Sequence, residues 1–476
     1  MSAGDANTRT CEHKLERKLT LLNVWSMAFG CVIGFGAFMM PGTVFLKRAG
    51  TVGTLIAIEI GAIVMLVISY SYSYMIQKFP VAGGEFVYAT RAFGRKHGFL
   101  CAWFLGLSYL CLVPVNANAI AVLFRMLFNN FFQFKFLYTI AGDDIYLGEI
   151  ILALFAMIIF AMINMLNIKV SGILQTIFVI LLISGVVILV SAAVLSPLSK
   201  ASNFKPLFYP DKVYNSKFVF LQILSVSAIA PWAFVGFETV PKFSEESSFS
   251  MSKVKVLMDT CIILGVFVYV SMNLFAASYF PENYANWAEY IDDLGNLRGI
   301  ISVPVLYVAH KVMGVPGLIV AGISALCAML TGIVGFYSAT SRLLYSMSEN
   351  QMLPEWFGRL NKYNVPMNAT LFCLLVSLGV PFAGRVVLGW AVDMSSIGAA
   401  ISFGYTALAT RKYAALEKKK DIMIFAAFGF LFSVLFAIIL LIPIPFFPGI
   451  SLSFESYTCL VFWILLGIIF YRNAYK

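Results

Sequence analysis

The sequence predicts an all-α integral membrane protein with 12 transmembrane helices, arranged as two inverted five-helix repeats followed by two additional C-terminal helices. Composition is the first observation: 61% of the 476 residues are hydrophobic, only 12% are charged, and the mean hydropathy is +0.88. The second is a series of continuous apolar segments of about 20 residues, the length that a helix needs to cross a bilayer. The third is a glycine motif that recurs about 200 residues further along the chain.

Twelve apolar segments are predicted to cross the bilayer. They cover residues 21–46, 53–77, 98–127, 147–167, 170–196, 217–242, 255–280, 315–345, 367–384, 387–409, 421–443 and 453–471. The first follows a basic stretch directly, without the short apolar core and cleavage site of a signal peptide, so we expect this helix to be retained. Most of the 33 Lys and Arg residues, five of them in 411–420, fall on one predicted side. This bias predicts a multi-pass protein of the cytoplasmic membrane with both termini in the cytoplasm.

The glycine-rich stretch of the first segment is repeated in the sixth. Residues 33–36 read IGFG and precede Pro41, and residues 235–238 read VGFE and precede Pro241. Because five is an odd number of crossings, the second copy of a five-helix repeat must be inverted in the membrane. The predicted organisation is a cytoplasmic tail (1–20), a first repeat (21–196), an inverted second repeat (197–410), and two further helices with a short cytoplasmic tail (411–476).

Glycines inside an apolar span indicate a helix that is interrupted at mid-membrane. Each glycine destabilises a helix by about 1 kcal/mol, and interrupted backbone in hydrocarbon needs polar partners. Such a break is typical of a transporter's binding site, and close helix packing is the alternative interpretation. Exposed amides attract a carboxylate and carbonyls attract an ammonium, so the break favours an amino acid. The candidate binding residues here are Ile33, Gly34, Phe35, Gly36 and Ala37.

The sixth segment adds two prolines and an acidic side chain to the repeated motif. Pro231 and Pro241 weaken the helix on either side of Gly236. Glu238 lies within hydrophobic sequence, where a carboxylate costs about 3 kcal/mol or more, so we interpret it as a coupling or gating residue; a structural hydrogen bond is the alternative. Trp232 is predicted either to form a pocket wall or to pack in the core. The candidate binding residues here are Trp232, Ala233, Phe234 and Gly236.

The residue types present argue against several classes of function. The eight cysteines form no CxxC pair and the three histidines are scattered, which predicts no disulfide framework, no metal site and no cofactor. The sequence shows no nucleophile–base pair that would indicate an enzyme. The net charge of +10 comes from residues at the ends of spans, so nucleic acid is not an expected partner. The expected partners are a small-molecule substrate, protons and the lipid bilayer.

Four stretches resemble the amino acid–polyamine–organocation (APC) superfamily of permeases. They are IGFGAFMMPG (33–42), FPVAGGEFVYATRAFG (79–94), PWAFVGFETVPKFSEE (231–246) and SRLLYSMSENQMLPEWFGRLNKYNVP (341–366). The resemblance implies a LeuT-like 5+5 inverted repeat with discontinuous helices 1 and 6, plus two C-terminal helices. It also implies the activity of an amino-acid or polyamine permease or antiporter.

Within that superfamily the sixth segment is similar to that of the bacterial arginine:agmatine exchanger. By this resemblance, Trp232 stands where the exchanger has a substrate-stacking tryptophan, and Glu238 where it has a pH- or gate-linked glutamate. Phe336 stands where it has a gating tryptophan. The turn at 34–37 corresponds to the carboxylate-binding turn, in which Phe35 replaces a serine.

The resemblance also bears on energy coupling. Some relatives use a lysine of span 5 in place of a sodium ion, but residues 174–182 contain no lysine. The matching part of span 8 offers Thr331 without a serine–threonine pair. Proton coupling through Glu238, or obligate exchange, is therefore expected.

These features together predict a secondary active transporter that moves an amino acid or a closely related amine by alternating access. A transporter of polyamines or other organic cations, with Glu238 as counter-ion, is the first alternative. A sensor of amino acids that keeps the fold without transporting is the second. An enzyme is the least expected class.

Overall fold

Long apolar helices make up most of the chain. The computed structural model describes residues 15–210, 219–443 and 451–474, so the first fourteen residues of the predicted N-terminal tail lie outside the described part. The helices are α1 (Leu21–Val32), α2 (Gly36–Met40), α3 (Lys47–Lys78), α4 (Glu85–Phe93), α5 (Arg95–Phe128), α6 (Leu147–Leu166), α7 (Ile168–Leu195), α8 (Val219–Ala233), α9 (Val254–Ala277), α10 (Trp287–Asp292), α11 (Pro304–Met313), α12 (Val315–Glu349), α13 (Met367–Ser377), α14 (Val387–Leu416), α15 (Lys420–Leu441) and α16 (Phe454–Ala474). An antiparallel hairpin of β1 (Phe136–Ile140) and β2 (Asp143–Tyr146) lies between α5 and α6.

Within the described residues, ten helical segments are long and apolar enough to cross a membrane, which makes this a multi-pass membrane protein. Two features account for the difference from the twelve predicted spans. The first two predicted spans follow one another without an intervening loop in one 58-residue segment, but the backbone is non-helical at Gly50 (φ +74°), so two helices meet at a kink between the predicted spans 21–46 and 53–77. The ninth predicted span is short, because α13 ends at Ser377 and gives way to the 3-10 turn Val380–Val386.

The two ends of the molecule are marked by α14. Just before this helix, the Arg385 backbone N–H donates to Asp143 Oδ2 of the β-hairpin (2.9 Å). The basic cluster at 411–420 lies at its other end, about 45 Å away at the rise of a 30-residue helix. We call these two ends the hairpin side and the basic side.

Two helices are interrupted halfway along their length, and the interruptions touch. Helix α1 ends at Val32 and helix resumes at Gly36; α8 ends at Ala233 and continues as the 3-10 segment Phe237–Phe243. Gly236 has a φ of +136°, and a Cβ at this position would lie 2.6 Å from the backbone N of Val32. Only glycine fits both the conformation and the contact. Both helices are thus interrupted at the motifs that the sequence singled out.

Candidate functional site

A small cavity lies where the two interruptions meet. Its volume is about 20 Å³, which is room for about one water-sized group. It is lined by Cys31, Val32, Gly34, Phe35, Gly36, Leu112, Asn116, Trp232, Val235, Tyr269 and Phe336. The sequence-predicted residues among them are Gly34, Phe35, Gly36, Trp232 and Phe336.

Trp232 and Phe35 separate this cavity from a larger one. Their rings meet edge to face with centroids 5.8 Å apart, and both residues line both cavities. A Cβ at Gly36 would lie 3.0 Å from Cη2 of Trp232, so the glycine allows the indole to close over the break. The indole Nε1 has no hydrogen-bond partner among the described residues. It is therefore an available donor for a molecule bound beside it.

The larger cavity, of about 720 Å³, lies on the hairpin side and has many charged side chains in its wall. These are Arg48, Arg125, Arg298, Arg385, Asp143, Asp144 and Asp393. Arg125 is paired with Glu149 through a bond of 2.6 Å from Nε to Oε1. A cavity of this size and polarity gives a small charged molecule a path from the hairpin side to Trp232.

Main-chain groups of the α1 break are turned toward side chains of the small cavity. The Phe35 backbone N–H donates to Asn116 Oδ1 (3.2 Å), and the Val32 carbonyl accepts from the Tyr269 hydroxyl (3.2 Å). The break therefore places a main-chain donor and a main-chain acceptor at the cavity, each paired with a side chain in this conformation. A small zwitterion has the complementary pair of groups.

Glu238 lies behind the break rather than in the cavity wall. Its side chain is completely buried, and Oε2 accepts from the Gly236 backbone N–H (2.7 Å). Its Oε1 has no hydrogen-bond partner among the described residues. Thr239 Oγ1 donates to the Gly236 carbonyl (2.6 Å), so two side chains hold this backbone. A change in the protonation of Glu238 would act directly on the geometry of Gly236.

The other sequence-predicted residues are buried beside the cavity without lining it. They are Ile33, Ala37, Ala233, Phe234 and Gly236. Phe234 packs edge to face on Tyr269, with centroids 6.2 Å apart, and its ring also lies against Gly265. Its contacts are those of a residue that fixes α9 against the break.

The side chains that α5 and α9 add to the cavity were not predicted from the sequence. Leu112 and Tyr269 come from uninterrupted helices and have no sequence signal that separates them from ordinary core residues. Cys31, Val32 and Val235 were also missed, although they adjoin the glycine motifs. Asn116 is a polar residue within the third apolar segment, and only its contact with Phe35 brings it into the site.

A neutral side chain bridges α7, α1 and α12 next to the break. Gln175 is completely buried, and its Nε2 donates to the Thr331 carbonyl (3.0 Å). Thr331 Oγ1 in turn donates to the Gly30 carbonyl (3.1 Å). A Cβ at Gly30 would lie 2.4 Å from the Gln175 amide nitrogen, so the glycine makes room for this bridge.

On the basic side, two buried ion pairs join the segment after the α8 break to its neighbours. Lys242 pairs with Glu85 of α4, and Arg342 of α12 pairs with Glu246. All four side chains are completely buried. The two sides of the breaks therefore differ: the hairpin side has a large cavity, and the basic side has buried ion pairs.

Comparison with known proteins gives one family. The sequence matches the amino acid permease family over residues 23–475, which is nearly the whole chain. The match includes both interruptions and every residue of the small cavity.

Similar bacterial proteins are named for different substrates. A branched-chain amino acid permease of Lactococcus lactis is 25% identical over 409 residues, which cover 84% of this chain and 82% of that protein. A glutamate/serine transporter of Bacillus subtilis is 24% identical over 513 residues, covering 98% of this chain and 89% of that protein. A low-affinity putrescine importer of Escherichia coli is 22% identical over 426 residues, which cover 89% of this chain and 86% of that protein.

Proposed function

This chain belongs to the amino acid permease family, and we propose on that premise that it carries a neutral amino acid across the cytoplasmic membrane by alternating access. It is a secondary transporter for amino acids or related amines. The proposal also includes twelve spans, arranged as a LeuT-like 5+5 inverted repeat plus two helices. It places the basic side in the cytoplasm. The positive charge of the basic side supports this orientation.

The break of α1 is the observation that supports an amino acid. Phe35 N–H and the Val32 carbonyl lie at the same small cavity, where a carboxylate and an ammonium would each find a partner. Backbone groups at Gly34–Ala37 would hold the carboxylate. Carbonyls of the two interrupted helices would hold the ammonium.

The lining of the cavity supports a neutral side chain. Its described residues include no Asp, Glu, Lys, Arg or His, and most are apolar. A buried charge without a partner is costly, so a cationic or anionic substrate side chain would be poorly accommodated here. Trp232, Phe336 and Leu112 would instead contact an aliphatic or small polar group.

Transport would alternate between the two sides of the breaks. The present conformation has its cavity on the hairpin side, with Trp232 and Phe35 between that cavity and the site. In the opposite conformation the buried ion pairs of the basic side would separate or move. Glu238 would link this change to protonation, or would set the geometry for obligate exchange, through its bond to Gly236.

Counterflow in proteoliposomes tests this function. Vesicles loaded with unlabelled L-leucine, L-alanine or L-serine should accumulate the same labelled amino acid, and neither putrescine nor agmatine should compete. Competition by diamines but by no α-amino acid would show an organic-cation transporter. Binding of an amino acid without any flux would show a sensor.

A further inference from the structure

Asn116 of α5 fills the space between the α1 break and α12. It is 1% exposed, and its side chain lies against two glycines. A Cβ at Gly34 would be 3.1 Å from Asn116 Oδ1, and a Cβ at Gly332 would be 2.6 Å from its Nδ2. Both neighbouring helices thus leave room for this one amide.

The orientation of the amide follows from its partners. Nδ2 donates to the Leu112 carbonyl (2.8 Å), a group that can only accept. Oδ1 accepts from the Phe35 backbone N–H (3.2 Å), a group that can only donate. The side chain therefore presents an oxygen to a main-chain amide of the break.

We propose that Asn116 is an internal substitute for the substrate's carboxylate, which must displace Asn116 Oδ1 from Phe35 N–H in order to bind. This inference rests on the proposed function, in which an amino acid binds at the break. Asn116 then satisfies the break while the site is empty, since a buried N–H without an acceptor is unfavourable.

The exchange of acceptors would select for a carboxylate. A hydrogen bond to an ionised oxygen is roughly twice as strong as one between neutral groups. A carboxylate therefore displaces the Asn116 oxygen, whereas an amine without a carboxyl group has no acceptor to offer Phe35 N–H. Asn116 would in this way discriminate between an amino acid and the corresponding decarboxylated amine.

Binding to the purified full-length protein tests the proposal. The ligands are three pairs of an amino acid and its decarboxylated amine: L-leucine and 3-methylbutylamine, L-alanine and ethylamine, and L-arginine and agmatine. Asn116→Ala removes the competing oxygen, so the preferred amino acid should bind about five-fold more tightly, as expected for one neutral hydrogen bond. Asn116→Asp keeps the shape but places a carboxylate at Phe35, and should weaken binding of the amino acid more than about ten-fold without weakening that of the amine.

The control is Asn118→Ala. Asn118 is on the same helix, and its Nδ2 donates to the Gly384 carbonyl (3.1 Å), away from the small cavity. This variant should lower thermal stability while leaving the preference for amino acid over amine unchanged. Asn116→Ser serves as a second small variant if Asn116→Ala does not fold.

The outcomes separate the two proposals. If the parent prefers an amino acid to its amine but Asn116→Ala binds that amino acid more weakly, Asn116 is a strut that shapes the break, and the substitute role is wrong. If the parent binds amines as tightly as amino acids in all three pairs, or binds none of them, the proposed function itself fails. Tighter binding to Asn116→Ala together with loss of binding to Asn116→Asp supports both.

Discussion

Arg342 and Glu246 form a fully buried, bidentate ion pair on the basic side. Nε lies 2.8 Å from Oε2 and Nη2 lies 2.9 Å from Oε1. The Glu246 carbonyl also accepts from the backbone N–H groups of Lys18 and Leu19, just before α1. This pair therefore connects α12, the segment after the α8 break and the start of α1.

Breaking this pair from one side should be strongly destabilising. Arg342→Ala leaves the Glu246 carboxylate buried without its partner, which costs about 3–5 kcal/mol. The double variant Arg342→Met with Glu246→Leu removes both charges and should regain most of the lost stability. Thermal unfolding of the detergent-purified variants measures this. Equal stability of the single and double variants would show that the two charges do not interact in the folded protein.

The ion pair of Lys242 and Glu85 should hold the basic side closed. Ser346 of α12 is buried against Gly83 at this side and provides a reporter as Ser346→Cys. Adding Lys242→Met should raise the labelling rate of this cysteine from the basic side about ten-fold. This factor corresponds to a change of about 1.4 kcal/mol in the free energy of opening that side. A membrane-impermeant maleimide gives the rate.

The matched control for that experiment is Lys242→Met without the reporter cysteine, which gives the background from native thiols. An unchanged labelling rate would mean that the pair stabilises the fold without governing access.

Trp232→Leu should weaken substrate binding much more than it lowers thermal stability. The indole covers the break and contacts Phe35, so its removal opens the small cavity to the larger one. We expect binding to fall by about ten-fold or more, and direct binding and thermal unfolding should be measured on the same preparation. Phe234→Leu is the control, because Phe234 packs on Tyr269 outside the cavity. The reverse order of effects would place Trp232 among ordinary core residues.

Glu238→Gln should abolish the pH dependence of transport while retaining substrate binding. The amide keeps an oxygen to accept from Gly236 N–H, so the break should keep its shape, but it cannot change its charge. Uptake measured from about pH 5 to pH 8 should then give a flat profile, as for a non-titrating group. A profile that matches the parent's would make Glu238 structural.

Transport should be indifferent to sodium, and Gln175 should matter for stability. Replacing sodium by choline should leave uptake unchanged. Thr331 has no serine or threonine beside it to complete a sodium site, and its Oγ1 donates to the Gly30 carbonyl. Gln175→Leu should cost about 0.5–1.5 kcal/mol, since it removes the buried hydrogen bond from Gln175 Nε2 to the Thr331 carbonyl. Sodium-dependent uptake by the parent would contradict the prediction that transport does not depend on sodium.

Local sequence was sufficient to locate the two interruptions. Glycine and proline act on the backbone wherever they occur, so IGFG at 33–36 and VGFE at 235–238 marked the breaks before any contact was known. The intramembrane position of Glu238 followed in the same way from hydropathy alone. The predicted boundary between the first two spans contains the kink at Gly50, whereas the ninth predicted span holds a helix of only 11 residues, α13, before the 3-10 turn Val380–Val386.

The composition of the site required the tertiary structure. Leu112, Asn116 and Tyr269 reach the cavity from helices that carry no local motif, and only the packing of α5 and α9 against the breaks selects them. The ion-pair partners were likewise invisible, since Glu85 and Lys242 are far apart in the chain. A sequence determines where its own helices are interrupted, because that is a local property. Which side chains then face the exposed amides is decided by helices brought together from distant parts of the chain.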